Sequence, residues 1–201
     1  MPLVLRIAYS VRSNGNTEKM LKVAPEAAKK VSGTRTLMIT LVGKKITPCD
    51  ACDLYHITNT CRINDDIKPV PEYMKECDTI IIAAPVYIHN ARVDEEVNSL
   101  LKDKIGAAIV VGQEKQRGKA YALSTIINFF LTHHMIVIGG TFAEGYPSVA
   151  AWTFGSTDKD AVLKDEVGIL AAKELGWRVA HLTKILEGRK TPSIRRVILS
   201  L

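Results

Sequence analysis

The 201-residue sequence has no apolar run approaching the ~20 residues a helix needs to cross a bilayer, so neither a transmembrane helix nor a membrane partner is expected. Its opening, Met1-Pro2-Leu3-Val4-Leu5-Arg6, enters an apolar strand pattern at once. A basic leader and a small-residue cleavage site are both missing, which predicts a cytoplasmic protein. No internal repeat or low-complexity linker divides the chain, and a single domain over 1–201 is expected. Basic residues exceed acidic ones, 27 against 21, for a net charge of +6, but they are spread out and not gathered with aromatics in one arm. That distribution fits a basic surface or an anionic cofactor and argues against a nucleic-acid partner. With only four cysteines, the chain does not rest on a disulfide framework.

What the chain does have is 47% apolar residues in short runs alternating between strand-like and helix-like periods. Strands are expected at Leu3 to Tyr9, Thr36 to Val42, Thr79 to Ala84, Ala107 to Val111 and Met135 to Ile138. Met20, Leu21, Ala24, Ala27, Ala28 and Val31 recur at helical spacing after the first strand, with a kink expected at Pro25, which lacks an N–H. Further helices are expected from Asp65-Asp66 to about Glu76, from Asp94 to Leu101, from Lys119 to His133, and from about Asp160 to Leu186, closed by Gly188. Lys44 to Asn64 has no sustained period and reads as an irregular insertion. Strands alternating with helices imply an α/β fold, a doubly wound five-stranded parallel sheet with helices on both faces. Its commonest five-stranded form is the flavodoxin-like order, which puts the ligand beyond the carboxyl ends of the strands.

After the first strand comes Ser10-Val11-Arg12-Ser13-Asn14-Gly15-Asn16-Thr17, dense in side-chain donors and followed by a helix start. Backbone N–H groups at a helix start favour an anion, and Arg12 adds a charge-assisted donor. The patterns of nucleoside triphosphatases and of dinucleotide binders are both missing from this loop, so a monophosphate ligand fits better. The alternative is an ordinary capped turn with Asn16 or Thr17 as N-cap.

The same octapeptide resembles the S-x-R-x-x-G-N-T loop of the NADPH-dependent FMN reductase and iron-sulfur flavoprotein family. The resemblance continues through Cys77 to Tyr87, with its Pro85-Val86-Tyr87 turn, and through Gly112 to Met135, covering roughly residues 3 to 140. It implies that Ser10, Arg12, Ser13, Asn14, Asn16 and Thr17 anchor the phosphate of FMN. It also implies that Pro85, Val86, Tyr87, Ile88 and Gly112 border the isoalloxazine ring. Ala84 stands where the family has a small polar residue, and Gln113 to Gly118 departs from a glycine-rich loop. Tyr87 equally suits closing the core, and His89 suits either a hydrogen bond to the ring edge or an exposed loop position.

Cys49, Cys52 and Cys61 are crowded in the insertion, and soft thiolates at such spacing hold iron-sulfur clusters or zinc. They resemble the compact motif of iron-sulfur flavoproteins, C-x2-C-x2-C with a fourth cysteine further on, but Tyr55 takes the third place. Three readings stand: a three-thiolate cluster, a zinc site that includes His56, or a chain without metal. Cys77 reads as a small buried apolar residue.

The expected function is an FMN-dependent oxidoreductase passing electrons from NAD(P)H through bound FMN to a flavin, quinone or other acceptor, with no catalytic side chain of its own. The alternatives are an electron-transfer flavoprotein that serves protein partners, with a cysteine-bound cluster and no nicotinamide site, and a small-molecule binding protein. A homodimer or homotetramer is expected, with Val162, Leu163, Val167, Leu170 and Leu175 offering an apolar face either to a second subunit or to the sheet.

Overall fold

The computed structural model describes residues 1–28, 31, 33–58, 61–86, 100–115, 118–140 and 145–187, with backbone alone at 27, 28, 55 and 56. The elements run β1 Leu3–Ala8, α1 Asn16–Ala28, β2 Arg35–Thr40, α2 Leu54–Thr58, α3 Val70–Glu76, β3 Thr79–Pro85, β4 Ile105–Gly112, α4 Lys119–Thr132, β5 Ile136–Ile138, β6 Val149–Trp152 and α5 Glu166–Leu186. A 3-10 turn at Ala161–Lys164 precedes α5. Every strand pair is parallel, in the order β2-β1-β3-β4-β5, the flavodoxin-like arrangement.

Against the expected five strands, the sheet has a sixth. β5 pairs with Ile105 to Ala107 of β4, and β6 pairs with Ile109 to Gly112 further along the same strand. Two short strands therefore share the fifth lane end to end. Their connection is closed at a neck, where a β-carbon on Gly139 would stand 2.4 Å from the carbonyl oxygen of Pro147.

Strand alternation sorts the apolar residues to two faces. Ile81 and Ala83 of β3 pack with Met20, Leu21 and Ala24 of α1 and with Ala172, Leu175 and Val179 of α5. Ile80, Ile82 and Ala84 pack on the other side with Val70 and Met74 of α3 and with Leu123, Ile126 and Phe130 of α4. α1 and α5 touch backbone to backbone: a β-carbon on Gly176 would lie 1.8 Å from the carbonyl oxygen of Ala24.

Several boundaries differ from the sequence expectation. α1 continues past Pro25, the position of the expected kink, to Ala28. The carbonyl that Pro25 leaves without its helical donor is that of Leu21, and Arg6 Nη1 donates to it at 3.3 Å. α3 begins at Val70, not at Asp65, because both acidic side chains are used elsewhere. Asp66 accepts from Lys45 N at 2.7 Å and Asp65 from Thr47 N at 2.6 Å, tying the two ends of the insertion together. The last helix starts at Glu166 and not at 160, since the Asp165 carboxylate caps it from Gly168 N at 2.9 Å and takes Trp152 N at 2.7 Å. Residues 100–103 form a turn, and the rest of the helix expected from Asp94 lies outside the described residues, as does Gly188. Of the apolar face expected on the last helix, Val162 and Leu175 are buried against the sheet, whereas Leu163, Val167 and Leu170 are exposed. Among the described residues no helix is long and apolar enough to cross a membrane.

Candidate functional site

Beyond the carboxyl ends of β1, β3, β4 and β6 lies a cavity of about 560 Å³. This volume is within the roughly 300–1,000 Å³ of small-molecule sites. Ser10, Arg12, Asn16 and Thr17 line one end, and Pro85, Val86, Val111 and Gly112 line the floor. Gln113, Glu114, Gly118, Tyr121, Thr153 and Ser156 complete the wall.

The loop after β1 closes tightly before α1. Gly15 N donates to Arg12 O at 3.3 Å, and a β-carbon on Gly15 would stand 3.1 Å from both that oxygen and Arg12 Cβ. The first helical N–H groups, from Asn16 onward, have no carbonyl a turn back within α1, so they present partial positive charge. Ser10 and Thr17 are buried beside them, and the Ser10 hydroxyl accepts from Arg12 N at 3.2 Å. Glu18, also buried, accepts from Thr40 Oγ1 at 2.7 Å and from Asn14 N at 2.9 Å, which fixes the loop from below.

Of the expected phosphate contacts, Ser13 and Asn14 do not line the cavity. Asn14 adopts a left-handed backbone with φ 51°, and its Oδ1 accepts from Lys22 Nζ at 3.3 Å. Asn16 lines the cavity, but its amide serves a neighbouring segment: Nδ2 donates to Asp158 O at 2.7 Å, and Oδ1 accepts from Val162 N at 3.0 Å. Arg12 Nη1 donates to Thr157 O at 3.2 Å, and Lys19 Nζ donates to Lys159 O at 2.9 Å and pairs with Asp160. The loop after β1 and the segment 157–162 are therefore one fastened unit.

The floor extends the sheet by a step, with Val86 N donating to Val111 O at 2.9 Å just past Pro85. Gly112 is bare because the stem of Lys119 passes behind it. A β-carbon there would meet Lys119 Cγ at 3.2 Å and Val86 Cγ2 at 3.4 Å. Lys119 is itself buried, its ammonium donating to Ala150 O at 3.2 Å. Gly118 is left-handed at φ 71°, where side chains are disfavoured. Tyr87, Ile88 and His89 lie outside the described residues.

Thr153 and Ser156 carry no motif that marks them as site residues. They reach the cavity because β6 joins β4 and its end is stitched back: Thr153 N donates to Gly112 O at 3.0 Å, and Trp152 Nε1 to Gln113 O at 2.7 Å. Tyr121, on the first turn of α4, is exposed at the mouth.

The four thiols lie in different surroundings. Cys49 and Cys52 are exposed, Cys61 is half-buried, and Cys77 is fully buried. Among the described residues no three His, Cys, Asp or Glu side chains gather as a metal site. Cys77 Sγ donates to Met74 O at 3.2 Å, and burial pushes its thiol up to about 12. The side chains of Tyr55 and His56 are outside the described residues.

FMN fits the cavity on chemical grounds. Buried hydroxyls, a guanidinium and a helix start suit a phosphate at one end, while Pro85, Val86 and two glycines leave a flat apolar floor for a ring at the other. Fold and cavity together define a flavodoxin-like α/β protein with an anion cradle after its first strand.

Comparison with known proteins narrows the class. Residues 2–147 match the family model of NADPH-dependent FMN reductase. An iron-sulfur flavoprotein of Methanocaldococcus jannaschii is 29% identical over 194 residues, covering 92% of this chain and 98% of that protein. One from Archaeoglobus fulgidus is 30% identical over 172 residues, covering 78% and 85%. The crystal structure of RosB with its bound intermediate, 8-demethyl-8-formylriboflavin-5'-phosphate, superposes with a TM-score of 0.70 at 16% identity, covering 100% of this chain and 86% of RosB. The chain belongs to the NADPH-dependent FMN reductase and iron-sulfur flavoprotein family.

Proposed function

We propose that the protein binds FMN in this cavity and acts as an oxidoreductase that takes electrons from NAD(P)H and passes them to a flavin, quinone or other acceptor. One observation carries the reading: a single cavity joins a helix-start anion cradle, with Ser10, Arg12 and Thr17, to the flat floor of Pro85, Val86 and Gly112. The family's description, NADPH-dependent FMN reductase, supports a nicotinamide donor, and the RosB complex has that protein holding a riboflavin 5'-phosphate derivative.

FMN, when bound, supplies the capacity to accept a hydride and release two electrons. The chain's own share is binding and orientation. Ser10 and Thr17 hydroxyls and the Arg12 guanidinium hold the phosphate dianion, with the N–H groups of the α1 start aligned behind it. Val86 and Pro85 pack the ring from the floor, and bare Gly112 lets it approach the backbone. Thr153 and Ser156, fastened through residues 157–162, would close the cavity wall around bound FMN. The same reading has the chain assemble as a homodimer or homotetramer, with exposed Leu163, Val167 and Leu170 available for the contact.

Anaerobic addition of NADH or NADPH to FMN-loaded protein tests this. Bleaching of the visible flavin absorption by either nucleotide is expected. Bleaching by dithionite alone would overturn the donor assignment, and failure to retain FMN at excess would overturn the whole reading.

A further inference from the structure

We propose that this chain lacks the cysteine-bound cluster for which its relatives are named and is a cluster-free flavoenzyme, delivering electrons in pairs to small-molecule acceptors that enter the cavity. This rests on the FMN reading above. A cluster of the [4Fe–4S] type takes four thiolates, and the insertion supplies three, with the sequence Cys49-x2-Cys52-x2-Tyr55-x5-Cys61.

Among the described residues no three His, Cys, Asp or Glu side chains gather around the cysteines. Cys77 lies at the junction of α3 and β3 in the core between the sheet and α3 and α4, with no exposed surface and its thiol bonded to Met74 O. Asp53, next to Cys52, stands at a left-handed φ of 55° and joins no group of three candidate ligands among the described residues. Asp50, next to Cys49, pairs with Arg62, next to Cys61. Asp65 and Asp66 are consumed by the backbone N–H groups of Lys45, Thr47 and Ile67. Cys49 Sγ itself accepts from Ala51 N at 3.4 Å.

A cluster passes electrons singly, whereas a hydride donor gives them in pairs. Without a cluster the net reaction consumes NAD(P)H and one proton, transfers two electrons and two protons to an acceptor of quinone or flavin type, and releases NAD(P)+.

The native chain and Tyr55→Cys, both anaerobic and both incubated with ferrous iron and sulfide, should be assayed for flavin, iron, zinc and acid-labile sulfide in the same samples. The native chain is expected to carry FMN and no stoichiometric metal, while Tyr55→Cys, with the four-thiolate pattern restored, gains about four irons per chain. Stoichiometric iron with labile sulfide, or stoichiometric zinc, in the native chain overturns the inference. In a parallel arm, Cys52→Ser should leave NAD(P)H-quinone turnover within about twofold of native, and a fall beyond about tenfold overturns it. Flavin content is read separately, so a protein without FMN defeats the reading of the cavity, whereas metal in the native chain defeats this one.

Discussion

Arg6 on β1 donates from Nη1 to the carbonyl of Leu21 in α1, the acceptor that Pro25 leaves open four residues on, while Nη2 donates to Thr36 Oγ1 on β2 at 3.3 Å. A strand side chain thus completes the hydrogen bonding of a helix, and burial holds the guanidinium's pKa below its ordinary value. Arg6→Met should cost about 1–3 kcal/mol by orphaning a shielded carbonyl. In a Pro25→Ala background the restored helical N–H takes the same carbonyl, and the cost should shrink. A double-mutant cycle by urea unfolding measures the coupling, and simple addition of the two effects would refute the linkage.

Gly176→Ala places a methyl into the backbone of α1 at Ala24. Overpacking of this kind costs about 1–3 kcal/mol. Because α1 carries the anion cradle at its other end, the variant should also bind FMN more weakly. Thermal melts with and without FMN follow both effects, and an unchanged melting temperature would contradict the close helix contact.

Removing phosphate contacts should discriminate between FMN and riboflavin. Ser10→Ala and Arg12→Met each remove a contact worth about 1–3 kcal/mol to a charged ligand, so FMN affinity should fall roughly five- to hundredfold. Riboflavin, which has no phosphate, should bind each variant as it binds the native chain. Fluorescence quenching titrations give both constants, and equal losses for the two ligands would place the phosphate elsewhere.

The Cys77 thiol, raised by burial from 9.0 to about 12, stays protonated in the folded protein where the unfolded chain has ionised. Its contribution to stability is complete below the unfolded value and disappears as pH rises through the folded one. Urea midpoints should therefore fall between about pH 8 and about pH 10.5, with a shallower fall in Cys77→Ala. The same burial predicts that iodoacetamide labels Cys49 and Cys52 well before Cys77. Equal labelling rates for all three would show that the junction of α3 and β3 is open.

Contiguous features are the legible ones. The anion loop is contiguous, so its donors and its helix start are visible in one octapeptide, and the long β-branched run of β3 announces a strand buried on both faces. Ser13 and Asn14 stand outside the cavity lining, and the left-handed turn that directs Asn14 toward Lys22 is a conformation that residue identity does not dictate. β6, Val149-Ala150-Ala151-Trp152, has little strand signal of its own, and only pairing with β4 makes it one. Thr153 and Ser156 were hidden for the same reason. Asp65 and Asp66 resemble a helix start by composition, yet their partners lie some twenty positions back, at Lys45 and Thr47.

The shared fifth lane also bears on how such a chain can be rebuilt. Gly139 and Pro147 already meet at the neck between β5 and β6, so extra residues spliced in between would lengthen a loop whose ends are held together, and each doubling of its length adds only about 0.6 kcal/mol. That seam makes the sheet a natural acceptor for grafted modules, with the register of the remaining strands untouched.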